Sequence, residues 1–126
     1  MGRIFIVEDD AQISRVYERA FRMAHHEIEV SGSGEVAWKA LSAAKVLPSV
    51  IIIDIMLPNM SGTDLLELIN KDKRFNNTPV VVLTNSSYPG LERQLQTAGA
   101  DMYLVKVDHE PKDIVSKVEN LISKFQ

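Results

Sequence analysis

The side chains with the clearest capacity for chemistry are carboxylates that directly follow two apolar runs of the chain. Glu8 and Asp9 come after the run at residues 4–7, and Asp54 comes after the run at residues 50–53. Carboxylates that crowd together repel one another, and either one pKa rises or a bound cation offsets the repulsion. Two or three carboxylate oxygens, with positions left for water and phosphate, are typical of Mg²⁺, whereas Ca²⁺ takes more oxygen ligands and Zn²⁺ takes His or Cys. The residues therefore predict a magnesium site.

A hydroxyl group and an ammonium group lie at the ends of two further apolar runs. Thr84 ends the run that begins at Val80, and Lys106 follows the run that ends at Val105. Such groups hold phosphoryl oxygens while a metal neutralises the remaining negative charge. An aspartate accepts a phosphoryl group as an acyl phosphate. Asp54 ends the predicted central strand, between the acidic pair and the lysine, and is therefore the best-placed acceptor.

The elements that position these groups are short apolar runs separated by segments of helical period. The runs are at residues 4–7, 50–53, 80–83 and 102–105, with a weaker alternating run at 28–30 that suits an edge strand. Continuous, mostly β-branched runs are typical of parallel strands that are covered on both faces. Strand and helix alternate five times, which predicts a doubly wound α/β fold: a five-stranded parallel sheet with helices on both faces. Ligands bind such a sheet at the carboxyl ends of its strands, where all the residues above converge.

Local residue chemistry also marks helix boundaries. Asp10 lies where the first helix is expected to begin, Ser61 is placed to cap the third helix, and Pro111 is placed to open the fifth. His25 and His26 follow the first helix and are expected to be solvated.

Length and composition narrow the class of protein. The chain has 126 residues, of which 45% are hydrophobic and 25% charged, so we expect a single globular domain over residues 1–126 with no room for an output domain. The absence of cysteine excludes disulfides and thiolate chemistry. A net charge of −3 with scattered basic residues argues against direct nucleic-acid binding. No apolar run is long enough for a signal peptide or a membrane span, so a cytoplasmic location is expected.

Four motifs in order along the chain carry a resemblance to a known family. They are residues 4–10 (IFIVEDD), 54–62 (DIMLPNMSG), 82–84 (VLT) and 99–106 (GADMYLVK). Together they resemble the receiver domain of bacterial two-component response regulators, and the resemblance covers the whole chain. It implies the flavodoxin-like strand order 2-1-3-4-5. A stand-alone chemotaxis-type regulator and an amino-terminal receiver cut from a transcription factor both fit; any DNA binding would then belong to an output domain.

The resemblance also implies a role for each site residue. Asp54 matches the phosphoacceptor, Glu8 and Asp9 match the acidic metal-binding pair, and the main-chain carbonyl of Met56 matches a further magnesium ligand. A second set matches the residues that respond to the phosphoryl group: Thr84 is the hydroxyl that turns toward it, Lys106 pairs with it, and Tyr103 is the aromatic switch whose ring moves inward.

The implied function is a phosphorylation switch. The phosphoryl group arrives from a histidine kinase, from a histidine phosphotransfer protein, or from a small donor such as acetyl phosphate. The chain promotes its own phosphorylation and dephosphorylation with Mg²⁺, yet acts mainly as a signalling switch. Its downstream partner is a protein that the sequence does not identify, and the surface of the fourth helix, fifth strand and fifth helix is the expected contact. We expect a monomer or weak dimer.

Two positions depart from the family pattern. Val107 replaces a proline whose preceding peptide bond is often cis. Because a non-proline cis bond costs about 2.5 to 4 kcal/mol, the loop that carries Lys106 is expected to adopt a different conformation. Asn85 replaces a small residue after Thr84; it either narrows the approach to the phosphoryl group or hydrogen-bonds the attacking water. These departures support one alternative, a receiver-like adaptor that binds partner proteins without phosphorylation.

Overall fold

The computed structural model describes residues 2–125, within which five parallel strands alternate with five α-helices. The elements are β1 (Arg3–Val7), α1 (Ala11–Met23), β2 (Glu27–Ser31), α2 (Gly34–Ala43), β3 (Val50–Ile53), α3 (Gly62–Lys71), β4 (Val80–Thr84), α4 (Leu91–Thr97), β5 (Met102–Val105) and α5 (Pro111–Lys124). Short 3₁₀ turns span Lys73–Phe75 and Lys106–Asp108. The predicted doubly wound α/β fold is confirmed.

The sheet has the strand order β2-β1-β3-β4-β5, as the family resemblance implies. Val7 of β1 lies opposite Ile53 of β3, and Thr84 of β4 lies opposite Val105 of β5. Because all strands are parallel, this register brings the residues that follow β1, β3, β4 and β5 to one edge of the sheet.

Alternation along each strand divides the apolar residues between two cores. Ile51 and Ile53 of β3 pack in the core beneath α2, α3 and α4, whereas Val50 and Ile52 pack in the core beneath α1 and α5. All four side chains are buried. A strand with apolar side chains on both faces is stable only between two helical layers, which explains why the run at 50–53 shows no polar residue.

The predicted helix boundaries are confirmed at three positions. The Asp10 side chain accepts hydrogen bonds from the main-chain N–H groups of Gln12 at 2.9 Å and Ile13 at 3.2 Å. Ser61 Oγ accepts from the Asp64 N–H at 3.1 Å. Each such cap stabilises its helix by about 1 kcal/mol. Pro111 is the first residue of α5, where its missing N–H costs no hydrogen bond.

The expectation that both histidines are solvated is wrong for His26. His25 is exposed, but His26 is buried, and its Nδ1 accepts a hydrogen bond from the Gly2 N–H at 2.9 Å. Its Nε2 lies 2.7 Å from a carboxylate oxygen of Glu119 on α5. Glu119 is distant in sequence, so no local pattern could place it beside His26. Among residues 2–125, no helix has the length and apolarity needed to cross a membrane.

Candidate functional site

Three carboxylates meet at the carboxyl edge of the sheet. Glu8, Asp9 and Asp54 each offer an oxygen, and these oxygens lie within 4.8 Å of one another. The strand register causes this convergence, because the Asp54 N–H donates to the Val7 carbonyl at 3.2 Å and so places Asp54 beside Glu8. Glu8 and Asp54 are buried, whereas Asp9 is exposed. The cluster is therefore open to solvent on the side of Asp9.

Lys106 joins two members of this cluster. Its Nζ donates to Asp54 Oδ2 at 2.7 Å and to a carboxylate oxygen of Glu8. The lysine follows β5, so its side chain reaches past the end of β4 to the end of β3. The side chains of all three residues are buried, with exposures of 8% for Lys106, 9% for Asp54 and 4% for Glu8. A single ammonium group therefore links the buried carboxylates.

Burial and pairing act in opposite directions on the charges of this site. Burial raises the pKa of Glu8, while hydrogen bonds from Lys106 and from the main-chain N–H of Asp10 partly offset that rise. Burial alone would lower the pKa of Lys106, but its hydrogen bonds to Asp54 and Glu8 outweigh burial, and the pKa is raised. Lys106 is therefore held as the ammonium ion, ready to pair with negative oxygens.

The Asp54 carboxylate is oriented from two sides. Its Oδ1 accepts a hydrogen bond from the Met56 N–H at 3.1 Å, and its Oδ2 accepts from Lys106. The Met56 main chain thus lies beside the carboxylate, while the residue as a whole is 67% exposed. The family resemblance points only to the Met56 carbonyl, and no sequence signal marks its N–H as a group that orients Asp54.

Gly62 is a further residue that supports the site. At this position a Cβ atom would lie 2.6 Å from the Ile55 Cα and even closer to the Asp54 carbonyl oxygen. Glycine therefore lets α3 begin directly against the loop that follows β3. In the sequence Gly62 is only the last residue of the motif at 54–62, because a close approach of two backbone segments is a tertiary feature.

Gly62→Ala is expected to lower the free energy of unfolding by about 2 kcal/mol or more, since overpacking against rigid backbone forces the chain to shift. Chemical denaturation measures this loss. Gly32→Ala is the matched control, because a Cβ there meets no atom within 4 Å. Equal stability of the two variants would contradict the proposed close contact.

The predicted switch residues both contact Ser86. Thr84 is fully buried, and its Oγ1 accepts a hydrogen bond from the Ser86 N–H at 3.3 Å. Tyr103 is half-buried, and its hydroxyl donates to the Ser86 carbonyl at 2.6 Å. A hydrogen bond from the Tyr103 hydroxyl therefore connects the loop between β4 and α4 to β5. Ser86 has no conspicuous sequence signal of its own.

The two departures from the family pattern meet in space. The Val107 N–H donates to Asn85 Oδ1 at 3.1 Å, although 22 positions separate the residues in sequence. No cis peptide bond occurs within residues 2–125, so the bond between Lys106 and Val107 is trans. The loop that carries Lys106 is thus held by a side-chain amide.

Comparison with known proteins identifies the family. The model of the response regulator receiver domain matches residues 4–119. The chain belongs to this family. Receiver domains are the phosphorylated modules of two-component systems, and they accept their phosphoryl group on an aspartate. They interact with histidine kinases or phosphotransfer proteins and bind Mg²⁺ in an acidic pocket, and this receiver domain has such a cluster of acidic residues.

Individual relatives agree with this assignment. The receiver domain is 32% identical over 122 residues to the DNA-binding response regulator MtrA of Mycolicibacterium paratuberculosis, covering 92% of this chain and 49% of MtrA. It is similar to the Mn²⁺-bound response regulator Rcp1, with 25% identity, a TM-score of 0.81, and 98% and 93% of the two chains covered. The phosphorylated cyanobacterial phytochrome response regulator RcpA gives 25% identity, a TM-score of 0.87, and coverages of 99% and 96%. The chain spans about half the length of MtrA.

Proposed function

We propose that this receiver domain takes a phosphoryl group onto Asp54 in a Mg²⁺-dependent transfer from the phosphohistidine of a histidine kinase or phosphotransfer protein. Acetyl phosphate serves as a small-molecule donor in the same reaction. Phosphorylation then changes a surface that binds a downstream protein. A cytoplasmic location, a single receiver domain over residues 1–126 and a monomer or weak dimer are part of this proposal, as is the absence of direct nucleic-acid contact by this chain.

The observation that carries the proposal is the environment of Asp54. Its carboxylate lies within reach of two further carboxylates and is bonded to a buried ammonium group at 2.7 Å. An aspartate whose role was only to end β3 would not need a buried lysine from the end of β5, which lies two positions away in the sheet. This arrangement supplies both a nucleophile and a cation for the incoming phosphoryl oxygens.

The donor atoms of the cluster fit Mg²⁺. They are all oxygens, they lie within 4.8 Å of one another, and Asp9 leaves one side open to water. Glu8, Asp9, Asp54 and the main-chain carbonyl of Met56 are the proposed ligands. When bound, the ion supplies positive charge that neutralises phosphoryl oxygens. His and Cys, which zinc prefers, are not among these donors.

The transfer step follows from the position of Asp54. A carboxylate oxygen of Asp54 attacks phosphorus, forming a P–O bond as the P–N bond to the donor histidine breaks and its electron pair returns to the imidazole. With acetyl phosphate, the P–O bond to the acetyl group breaks and acetate leaves. Lys106, held protonated beside Asp54, balances the negative charge of the phosphoryl oxygens.

Thr84 and Tyr103 are the proposed responding residues. Both are tied to Ser86, so a rotation of the Thr84 hydroxyl toward the phosphoryl group would give up its hydrogen bond from the Ser86 N–H. The loop would then be free to move, and Tyr103 would change position with it. The affected surface is formed by α4, β5 and α5, which is where we propose that the unidentified downstream protein binds.

Metal removal tests the proposal. Incubation with acetyl phosphate and Mg²⁺ is expected to add one phosphoryl group to the intact mass. EDTA is expected to abolish the adduct, because the negative charge of the phosphoryl group then has no metal ion to neutralise it.

Asp9→Asn is expected to weaken Mg²⁺ affinity by more than about tenfold, since loss of a residue that merely hydrogen-bonds to a metal ligand already weakens metal affinity by at least that much. Titration calorimetry measures this affinity.

Asp10→Asn is the matched control, because Asp10 caps α1 outside the cluster and asparagine caps equally well. An equal loss of Mg²⁺ affinity in both variants would argue against a specific site. If neither phosphorylation nor binding of beryllium fluoride occurs in the wild type, the function becomes that of a phosphorylation-independent adaptor.

A further inference from the structure

One hydrogen bond fastens the two loops that flank the proposed phosphoryl site. Asn85 Oδ1 in the loop after β4 accepts from the Val107 N–H in the turn after β5 at 3.1 Å. This hydrogen bond requires particular residue types at both positions. A proline at 107 would have no N–H to donate, and an alanine or glycine at 85 would have no side-chain acceptor.

Burial does not explain this contact. Asn85 is exposed, and Val107 is 77% exposed, so neither residue belongs to a core. Water can bond to both polar groups when the loops separate, so the net stabilisation from this hydrogen bond is only about 1 kcal/mol, or about fivefold in an equilibrium constant. That is too little to stabilise the fold appreciably, but it is enough to favour one arrangement of the two loops relative to each other.

The neighbours of the two residues show what this restriction affects. Asn85 lies between Thr84 and Ser86, and Val107 directly follows Lys106. The Lys106 ammonium donates a hydrogen bond to Asp54, and Lys106 is the first residue of a short 3₁₀ turn. Anchoring the N–H of the next residue limits the rotation of that turn, and therefore limits displacement of the Lys106 side chain from Asp54.

We propose that Asn85 is a positioning residue for phosphoryl transfer, holding the turn that carries Lys106 through the Val107 N–H. This inference rests on the proposed function of Asp54 and deepens it. Asn85 acts here through Lys106 and makes no contact with the phosphoryl group. Removing the bond therefore lowers the rate of transfer at saturating acetyl phosphate, while the acetyl phosphate concentration for half-maximal rate changes little.

The first test examines the hydrogen bond and the lysine without any phosphorylation. In Asn85→Ala, hydrogen exchange of the Val107 N–H is expected to accelerate about fivefold, as expected for losing one hydrogen bond. The NMR signal of the Lys106 ammonium is expected to shift. Asn85→Asp retains an acceptor and is expected to retain slow exchange. Unchanged exchange and an unchanged lysine signal in Asn85→Ala would overturn the proposal.

The second test is a double-mutant cycle on the phosphorylation rate with saturating Mg²⁺. Asn85→Ala is expected to lower the maximal rate by about threefold to tenfold, whereas Ser87→Ala, an exposed change in the same loop, leaves it unchanged. On a Val107→Pro background, which lacks the donor, Asn85→Ala is expected to cause little further loss. A full additional loss there would overturn the proposal and indicate instead that Asn85 contacts the phosphoryl group directly.

The two tests separate failure of this inference from failure of the proposed function. A wild-type protein that takes no phosphoryl group would contradict the role of Asp54, and with it a role of Asn85 in transfer. The exchange and lysine measurements would still report whether Asn85 positions Lys106. A wild type that labels normally, with an Asn85→Ala variant that labels at the same rate, would overturn the inference alone.

Discussion

Asp54→Asn is expected to reduce phosphoryl uptake from acetyl phosphate to background, the largest effect on activity that the structure predicts. Asparagine keeps the shape of the side chain and an oxygen that accepts from the Met56 N–H. It loses the negative oxygen that attacks phosphorus, and no acyl phosphate forms on an amide. Intact mass spectrometry in the presence of Mg²⁺ measures the adduct.

The control for this experiment is again Asp10→Asn, which makes the same chemical change one residue from the cluster. It is expected to label to the wild-type extent. An adduct of unchanged stoichiometry on Asp54→Asn would show that another residue accepts the phosphoryl group, and peptide mapping would then locate it.

Lys106→Met is expected to produce the largest loss of stability in the absence of divalent cations. The substitution leaves the carboxylates of Glu8 and Asp54 buried and close together without their ammonium partner. Breaking a buried ion pair in this way costs about 3 to 5 kcal/mol. Urea unfolding of the metal-free protein measures the change, and Mg²⁺ is expected to restore much of it by supplying the missing positive charge.

The pH dependence of this loss has a definite sign. Burial already raises the pKa of Glu8, and Lys106 acts to lower it, so removing the lysine raises that pKa further. A carboxyl group with a raised pKa in the folded state destabilises the fold as pH rises through that pKa. The Lys106→Met penalty is therefore expected to shrink on acidification, as Glu8 becomes protonated.

Lys112→Met is the matched control, since the Lys112 side chain is 83% exposed and lies 3.7 Å from the exposed Glu110. Exposed pairs contribute at most about 1 kcal/mol. If the metal-free stability of the Lys106 and Lys112 variants were equal, the buried pairing would not stabilise the fold.

Much of the fold follows from local patterns of residue type. The uninterrupted β-branched run at 50–53 indicates a central strand covered on both faces, and this strand is β3. Asp10 and Ser61 mark the beginnings of α1 and α3 through the hydrogen bonds that capping requires. These signals are readable in sequence because the interactions span only a few residues.

The part of the candidate site that was predictable is the set of residues at or just after the carboxyl ends of the strands. Once the strands are parallel, residues after each of them share one edge, which explains why Glu8, Asp54 and Lys106 converge. Spacing alone does not reveal that Lys106 bonds to both carboxylates in the described structure. That pairing depends on how far a side chain reaches across the end of β4.

Residue patterns were enough to predict the alternation of strands and helices, the convergence of an acidic cluster with a lysine, and the resemblance to the receiver family. Only the tertiary structure revealed the burial of His26 against Glu119, the close approach at Gly62 and the bond between Asn85 and Val107. The two groups of features differ in the sequence separation of the residues that interact. Periodicity and capping act between near neighbours, whereas these three contacts join segments whose distance is decided by how the helices and loops pack around the sheet.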